Sequence, residues 1–278
     1  MTQSLLPLLA EPEQLREKLD DPRLLIVDLS DEGTYSQGHI PGAVHLTYAW
    51  LVRKTPPALG LLPDEKALSD VLSEIGLTPE HHVVAYDNEG NGRAGRLLWT
   101  LDVCGHRQWS LLNGGSHAWF NEGHPVETGV NRPAPSNYTV SLPERPAPLA
   151  DKEWILRHLD DDGVAILDAR SPGEYDGSDV RSARGGHIPG AVNLEWTRAL
   201  DRERNLRLLP AETLQAMLAE RGIRPDQEVV THCQTHHRSS LTYVMLRALG
   251  YERVRGYAGS WSEWGNDPEA PVETGPRR

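Results

Sequence analysis

The heptapeptide GHIPGAV stands at residues 38–44 and again at 186–192. Two more echoes keep the same order: VV ahead of a short loop and a helical pattern at 83 and 229, and PVETG at 125 and 271. Their offsets of 148, 146 and 146 residues imply that the second half folds as the first does, because long-period self-similarity marks a duplicated structural unit. A chain of 278 residues suits two domains of ordinary size. Between the copies, NRPAPSNYTVSLPERPAPLA (131–150) is proline-rich and reads as an extended linker. The expected organisation is a first domain over 1–130, a linker over 131–150 and a second domain over 151–278.

Within the second copy, helical and strand patterns alternate. DKEWILRHLD, AETLQAMLAERG and RSSLTYVMLRALG read as helices, GVAILDA, EVVTHC and RVRGYAG as strands, and SWSEWG as a final helical turn. Gly250 is a natural helix stop. Strands that are continuously apolar and separated by helices predict an α/β fold, a mainly parallel sheet flanked by helices in each copy. Ligands in such sheets bind beyond the carboxyl ends of the strands. The segment HCQTHHRSS (232–240) occupies one of those loops.

A short loop between a buried strand and a helix turns backbone N–H groups inward, and the helix N-terminus adds partial positive charge. Cys233 at the head of this loop would have its thiolate favoured, making it a nucleophile or a sulfur carrier. Gln234, Thr235, His236 and His237 form the rest of the loop, and Arg238 closes it with a guanidinium suited to two anion oxygens. His232 should face away from the sulfur, toward the scaffold. A zinc site is disfavoured because adjacent residues of HC-x2-HH converge poorly on a tetrahedral ion and no second cysteine or spaced histidine pair completes the set, so neither metal nor cofactor is expected. A cysteine-protease reading needs a histidine and an orienting partner that the sequence does not single out. Cys104, in the apolar run LLWTLDVCGH, reads as core packing.

The net charge of -12, with most of the acidic excess before residue 131, argues against a nucleic-acid surface. No apolar tract is long enough to span a membrane, and the opening MTQSLLPLLAEPEQL lacks the basic leader and cleavage site of a signal peptide. With two cysteines and no disulfide framework, a cytoplasmic, monomeric protein is expected.

The residues resemble the tandem-domain rhodaneses, bacterial thiosulfate:cyanide sulfurtransferases, over essentially the full length. YSQGHIPGAV and GGHIPGAV are similar to that family's N-terminal signature, VRGYAGSWSEW (254–264) to its C-terminal one, and VVTHCQTHHRSS to its active-site segment. The resemblance implies that Cys233 takes the outer sulfur of thiosulfate as a persulfide and passes it to cyanide or another thiophilic acceptor. It also leaves room for a carrier that delivers sulfur or selenium to a protein partner. Aligning VVTHC with VVAYD puts Asp87 opposite Cys233, so the first copy should be catalytically silent. Asp28 and Asp168, each ending a strand, read as loop-fixing acids. Thr235 stands where many members carry a second basic residue, and Glu174 where two-domain relatives often carry a substrate-binding arginine. Arg170 is a candidate second anion ligand, with a structural salt bridge as the alternative. The missing GVT turn disfavours mercaptopyruvate, and four residues rather than five between Cys233 and Arg238 disfavour phosphatase or arsenate chemistry.

Overall fold

The computed structural model describes residues 4–143 and 147–275. It resolves into two compact units, each built on a five-stranded, wholly parallel sheet. In the first the order is Leu9–Ala10, Trp109–Leu112, His82–Tyr86, Leu24–Asp28, Val44–His45. In the second it is Leu149–Ala150, Val254–Tyr257, Glu228–His232, Val164–Asp168, Val192–Asn193. The topologies are identical, as the repeat predicts. Central strands such as His82–Tyr86 are buried at every position, because helices cover both faces of a parallel sheet. In the second unit Ile166, Val230, Tyr257, Trp261 and Trp264 share one core, and each fully buried aliphatic side chain there contributes about 1.5–3 kcal/mol.

The repeated motifs meet in space, which explains their recurrence. His187 stacks on Tyr175 at 3.8 Å, and its Nδ1 lies 2.8 Å from the Tyr175 carbonyl. The Tyr175 hydroxyl donates to the Ala191 carbonyl, and His187 pairs through its backbone with Glu273 of PVETG. His39, Tyr35, Ala43 and Glu127 repeat the arrangement in the first unit. The shared signature is therefore a strut inside each unit.

The units depart from the contiguous ranges expected from the repeat. The first comprises the described residues of Met1–Leu51, Pro63–Pro146 and Leu200–Leu208; the second those of Val52–Leu62, Ala147–Ala199 and Leu209–Arg278. Residues 131–143 carry neither helix nor strand, as expected of a proline-rich run. They are nonetheless pinned to the first unit, through Asn131 Nδ2 on the Ala43 carbonyl and the Val140 N–H on Ser69 Oγ. The expected linker end at 150 is corrected to before Leu149, because Leu149–Ala150 is an edge strand of the second sheet. Part of that linker, 144–146, lies outside the described residues.

Gly60 shows what the Val52–Leu62 segment does. A Cβ there would run into the Thr235 carbonyl and lie 2.6 Å from that of Ala258, so glycine alone lets this segment lie against the loop after Cys233. Gly60→Ala is expected to destabilise the protein by about 1–3 kcal/mol through overpacking, read by urea denaturation. An unchanged midpoint would mean that the loop yields freely.

Candidate active site

The strand Glu228–His232 delivers Cys233 to the carboxyl end of the sheet, and four residues separate it from the start of the helix Arg238–Ala248. Gly250, with φ +87°, ends the chain segment that this helix opens, as expected for a left-handed stop. His236 adopts φ +52°, the left-handed turn that folds the loop back over the helix start. Its carbonyl accepts from Ser240 Oγ at 2.5 Å, and its Nδ1 lies 2.8 Å from Ser239 Oγ. From the C-terminal signature, the Trp261 and Ser262 N–H groups donate to the Cys233 and Gln234 carbonyls, each at 2.9 Å. The C-terminal signature thus holds the loop through its backbone.

Cys233 is 1% exposed. Burial opposes its ionisation, but the Arg238 charge, the Ser239 hydroxyl and N–H, and the Thr235 N–H outweigh burial and bring its pKa below the ordinary thiol value. Cys104 has no such company, and burial pushes it up to about 12. Iodoacetamide should therefore modify Cys233 with a rate that rises with pH and levels off at a lower pH than for an ordinary thiol, while Cys104 stays unmodified. Peptide mass mapping across pH checks this; equal labelling of both cysteines would defeat the assignment.

Arg238 makes a two-pronged ion pair with Glu174, Nη1 to Oε2 at 2.6 Å and Nη2 to Oε1 at 2.8 Å. Glu174 is 1% exposed and sits in the short helix Pro172–Asp176, where it completes a capping box with Ser171. Two of the five guanidinium N–H groups are thereby used, and the fork is oriented by a rigid partner. Arg170 is placed in the salt-bridge arrangement. Its Nε lies 3.0 Å from both Asp168 carboxylate oxygens, its Nη2 donates to the Gly186 carbonyl, and its guanidinium stacks 4.4 Å above Trp261. Asp168 also accepts from the Arg170 N–H, and Asp28 from the Ser30 N–H, the loop-fixing geometry expected of both acids.

His232 is fully buried, with Nε2 3.6 Å from Asp168 Oδ2. Burial pulls its pKa down to about 4 although Asp168 opposes this, so it is neutral at pH 7. Gln234 turns outward to donate to the Arg181 carbonyl and Ser182 Oγ. His237 occupies the cap position of the helix. Sequence reasoning passed over Ser239 and Ser260, whose hydroxyls bracket the Cys233 sulfur and N–H respectively. The only local hint was a serine in the first helical turn. Among the described residues, the ligand atoms that converge as a metal site would require belong to Glu13, Glu122 and His124 in the first unit, and Glu122 there is already chelated by Arg207.

The first unit keeps the same loop and fills it with its own anion. The Asp87 carboxylate accepts from the backbone N–H groups of Glu89, Asn91, Arg93 and Ala94 at 2.7–3.0 Å. A loop of this shape therefore binds an anion through amides, and in the second unit the position of that carboxylate is taken by sulfur.

The model of the rhodanese-like domain matches residues 11–122 and 151–267, once per repeat. The chain belongs to the rhodanese family. It is 48% identical over 268 residues to the thiosulfate sulfurtransferase of Azotobacter vinelandii, covering 96% of this chain and 97% of that one. The thiosulfate sulfurtransferase of Pseudomonas aeruginosa is 46% identical over the same shares. The sulfur carrier protein TtuD of Thermus thermophilus is 31% identical, covering 96% of each chain. In fold, the crystal structure of YnjE superposes with a TM-score of 0.87 at 24% identity, over 97% of this chain and 69% of that one. Among the described residues, no helix is long and apolar enough to cross a membrane.

Proposed function

We propose that this rhodanese moves the outer sulfur of thiosulfate to cyanide or a thiol acceptor through a persulfide on Cys233. The observation that carries the reading is the Cys233 sulfur itself, enclosed by amide and hydroxyl donors beside Arg238 and with its thiolate favoured. The thiolate attacks the outer sulfur, the S–S bond of thiosulfate breaks, and sulfite departs with the electron pair. The persulfide anion that remains carries the thiolate's charge, so the donors around it serve both states. No proton moves, and no general base is required. Cyanide then takes the outer sulfur as thiocyanate and regenerates the thiolate. The first repeat is silent in this scheme, because a carboxylate already occupies its amide loop and cannot form a persulfide.

Cys104 and Cys233 are unpaired, which suits a reducing cytoplasm, and each chain carries the whole Cys233 loop, so a monomer suffices. Delivery of the same sulfur to a protein acceptor is a second reading, favoured by the likeness to a relative named as a sulfur carrier. Intact mass after thiosulfate treatment should rise by about one sulfur and return on adding cyanide. A mass that thiosulfate leaves unchanged would overturn the proposal.

A further inference from the structure

One of the places where the two repeats differ in length lies beside the site. Tyr35 and His39 are four residues apart, Tyr175 and His187 twelve, yet each pair stacks and hydrogen-bonds alike. The second repeat therefore carries eight extra residues between two fixed points, and the first carries none. The extra loop is tied down along its length: the Asp179 N–H donates to the Gly173 carbonyl, the Ala183 N–H to Asn266 Oδ1, and the Arg184 N–H to the Gly265 carbonyl. Its middle is tied to the residue that follows the nucleophile, since Gln234 Nε2 donates to the Arg181 carbonyl and to Ser182 Oγ.

Arg181 brings a cation to this place. Its Nε lies 3.7 Å from Glu174 Oε1, the oxygen to which Arg238 Nη2 donates. Arg238 is partly exposed and its charge is balanced by the buried Glu174, whereas loading Cys233 from thiosulfate brings a dianion up to a thiolate. Positive charge beyond that of Arg238 would favour this approach. Arg181 is suited to supply it, because its remaining partner, Asp179, is an exposed carboxylate at 2.9 Å, and such surface pairs are weak and readily exchanged.

We propose that Arg181 determines specificity for dianionic sulfur donors, exchanging Asp179 for a donor oxygen while Arg238 holds another. The inference rests on the reading that thiosulfate loads Cys233. It is tested by steady-state kinetics with thiosulfate and with methanethiosulfonate, a donor of one charge. Arg181→Ala should raise KM for thiosulfate about tenfold, the scale of one charge-assisted hydrogen bond, leave kcat unchanged and alter KM for the monoanion much less. Arg181→Lys should recover most of the loss. Asp179→Asn should act in the opposite direction and lower KM for thiosulfate. A thiosulfate KM within twofold of the parent in Arg181→Ala, equal shifts for both donors, or a loss confined to kcat would overturn the role of Arg181. Failure of the parent protein to take sulfur from thiosulfate would instead overturn the functional reading beneath it.

Discussion

Cys233→Ala should neither gain mass from thiosulfate nor form thiocyanate above background, a loss on the order of 10⁴-fold or more for removal of a covalent nucleophile. The fold should survive. Cys233 is 1% exposed, but its sulfur faces polar donors, and the backbone around it is held by the Trp261 and Ser262 amides, which the substitution leaves in place. Circular dichroism and thermal melting of the variant separate lost chemistry from lost structure. Cys104, raised to about 12, has too little thiolate at neutral pH to substitute. A folded Cys233→Ala protein that still acquires cyanide-removable sulfur would place the carrier elsewhere.

Arg238→Ala should lower kcat/KM for thiosulfate by roughly 10²–10³-fold, the effect of removing about 2.7–4 kcal/mol of oriented charge stabilisation. Two consequences follow from the geometry. The Cys233 thiolate loses its main electrostatic support, so the midpoint of its pH-dependent alkylation should move upward relative to the parent. Glu174, buried and without its two-pronged partner, keeps only its Ser171 hydrogen bonds and the more distant Arg181, and becomes a costly carboxylate. Glu174→Gln in the Arg238→Ala background should therefore restore stability without restoring activity, a split that a purely structural role for Arg238 would not produce. Unaltered thiosulfate kinetics in a folded Arg238→Ala protein would remove the anion-binding role.

Much of the site is legible along the chain. Burial on both faces of EVVTH, an abrupt change to polar residues and a helical stripe after Arg238 place Cys233 in a strand-to-helix loop by local pattern alone. Alignment of the repeats likewise exposes Asp87, whose four amide bonds show what that loop is shaped to hold. The arginines were harder to assign. Arg170 and Arg238 are both near acids in sequence or space, and nothing local says that Arg170 belongs to Asp168 while Arg238 reaches back 64 positions to Glu174. Nor does the run ALGL announce that Gly60, from the first half of the chain, belongs to the unit that holds Thr235.

Local pattern along the chain was enough for the duplicated α/β architecture, the place of Cys233 at the head of a strand-to-helix loop and the aspartate at the matching place in the first copy, because strand and helix periodicity and residue identity are local properties that one chain states twice. The tertiary structure alone decided which carboxylate orients which arginine, which segment backs the loop, and where the eight extra residues of the second repeat come to rest. Those pairings join residues tens of positions apart, and their free energy depends on distance and burial after folding, quantities that neighbouring side chains along the chain do not encode.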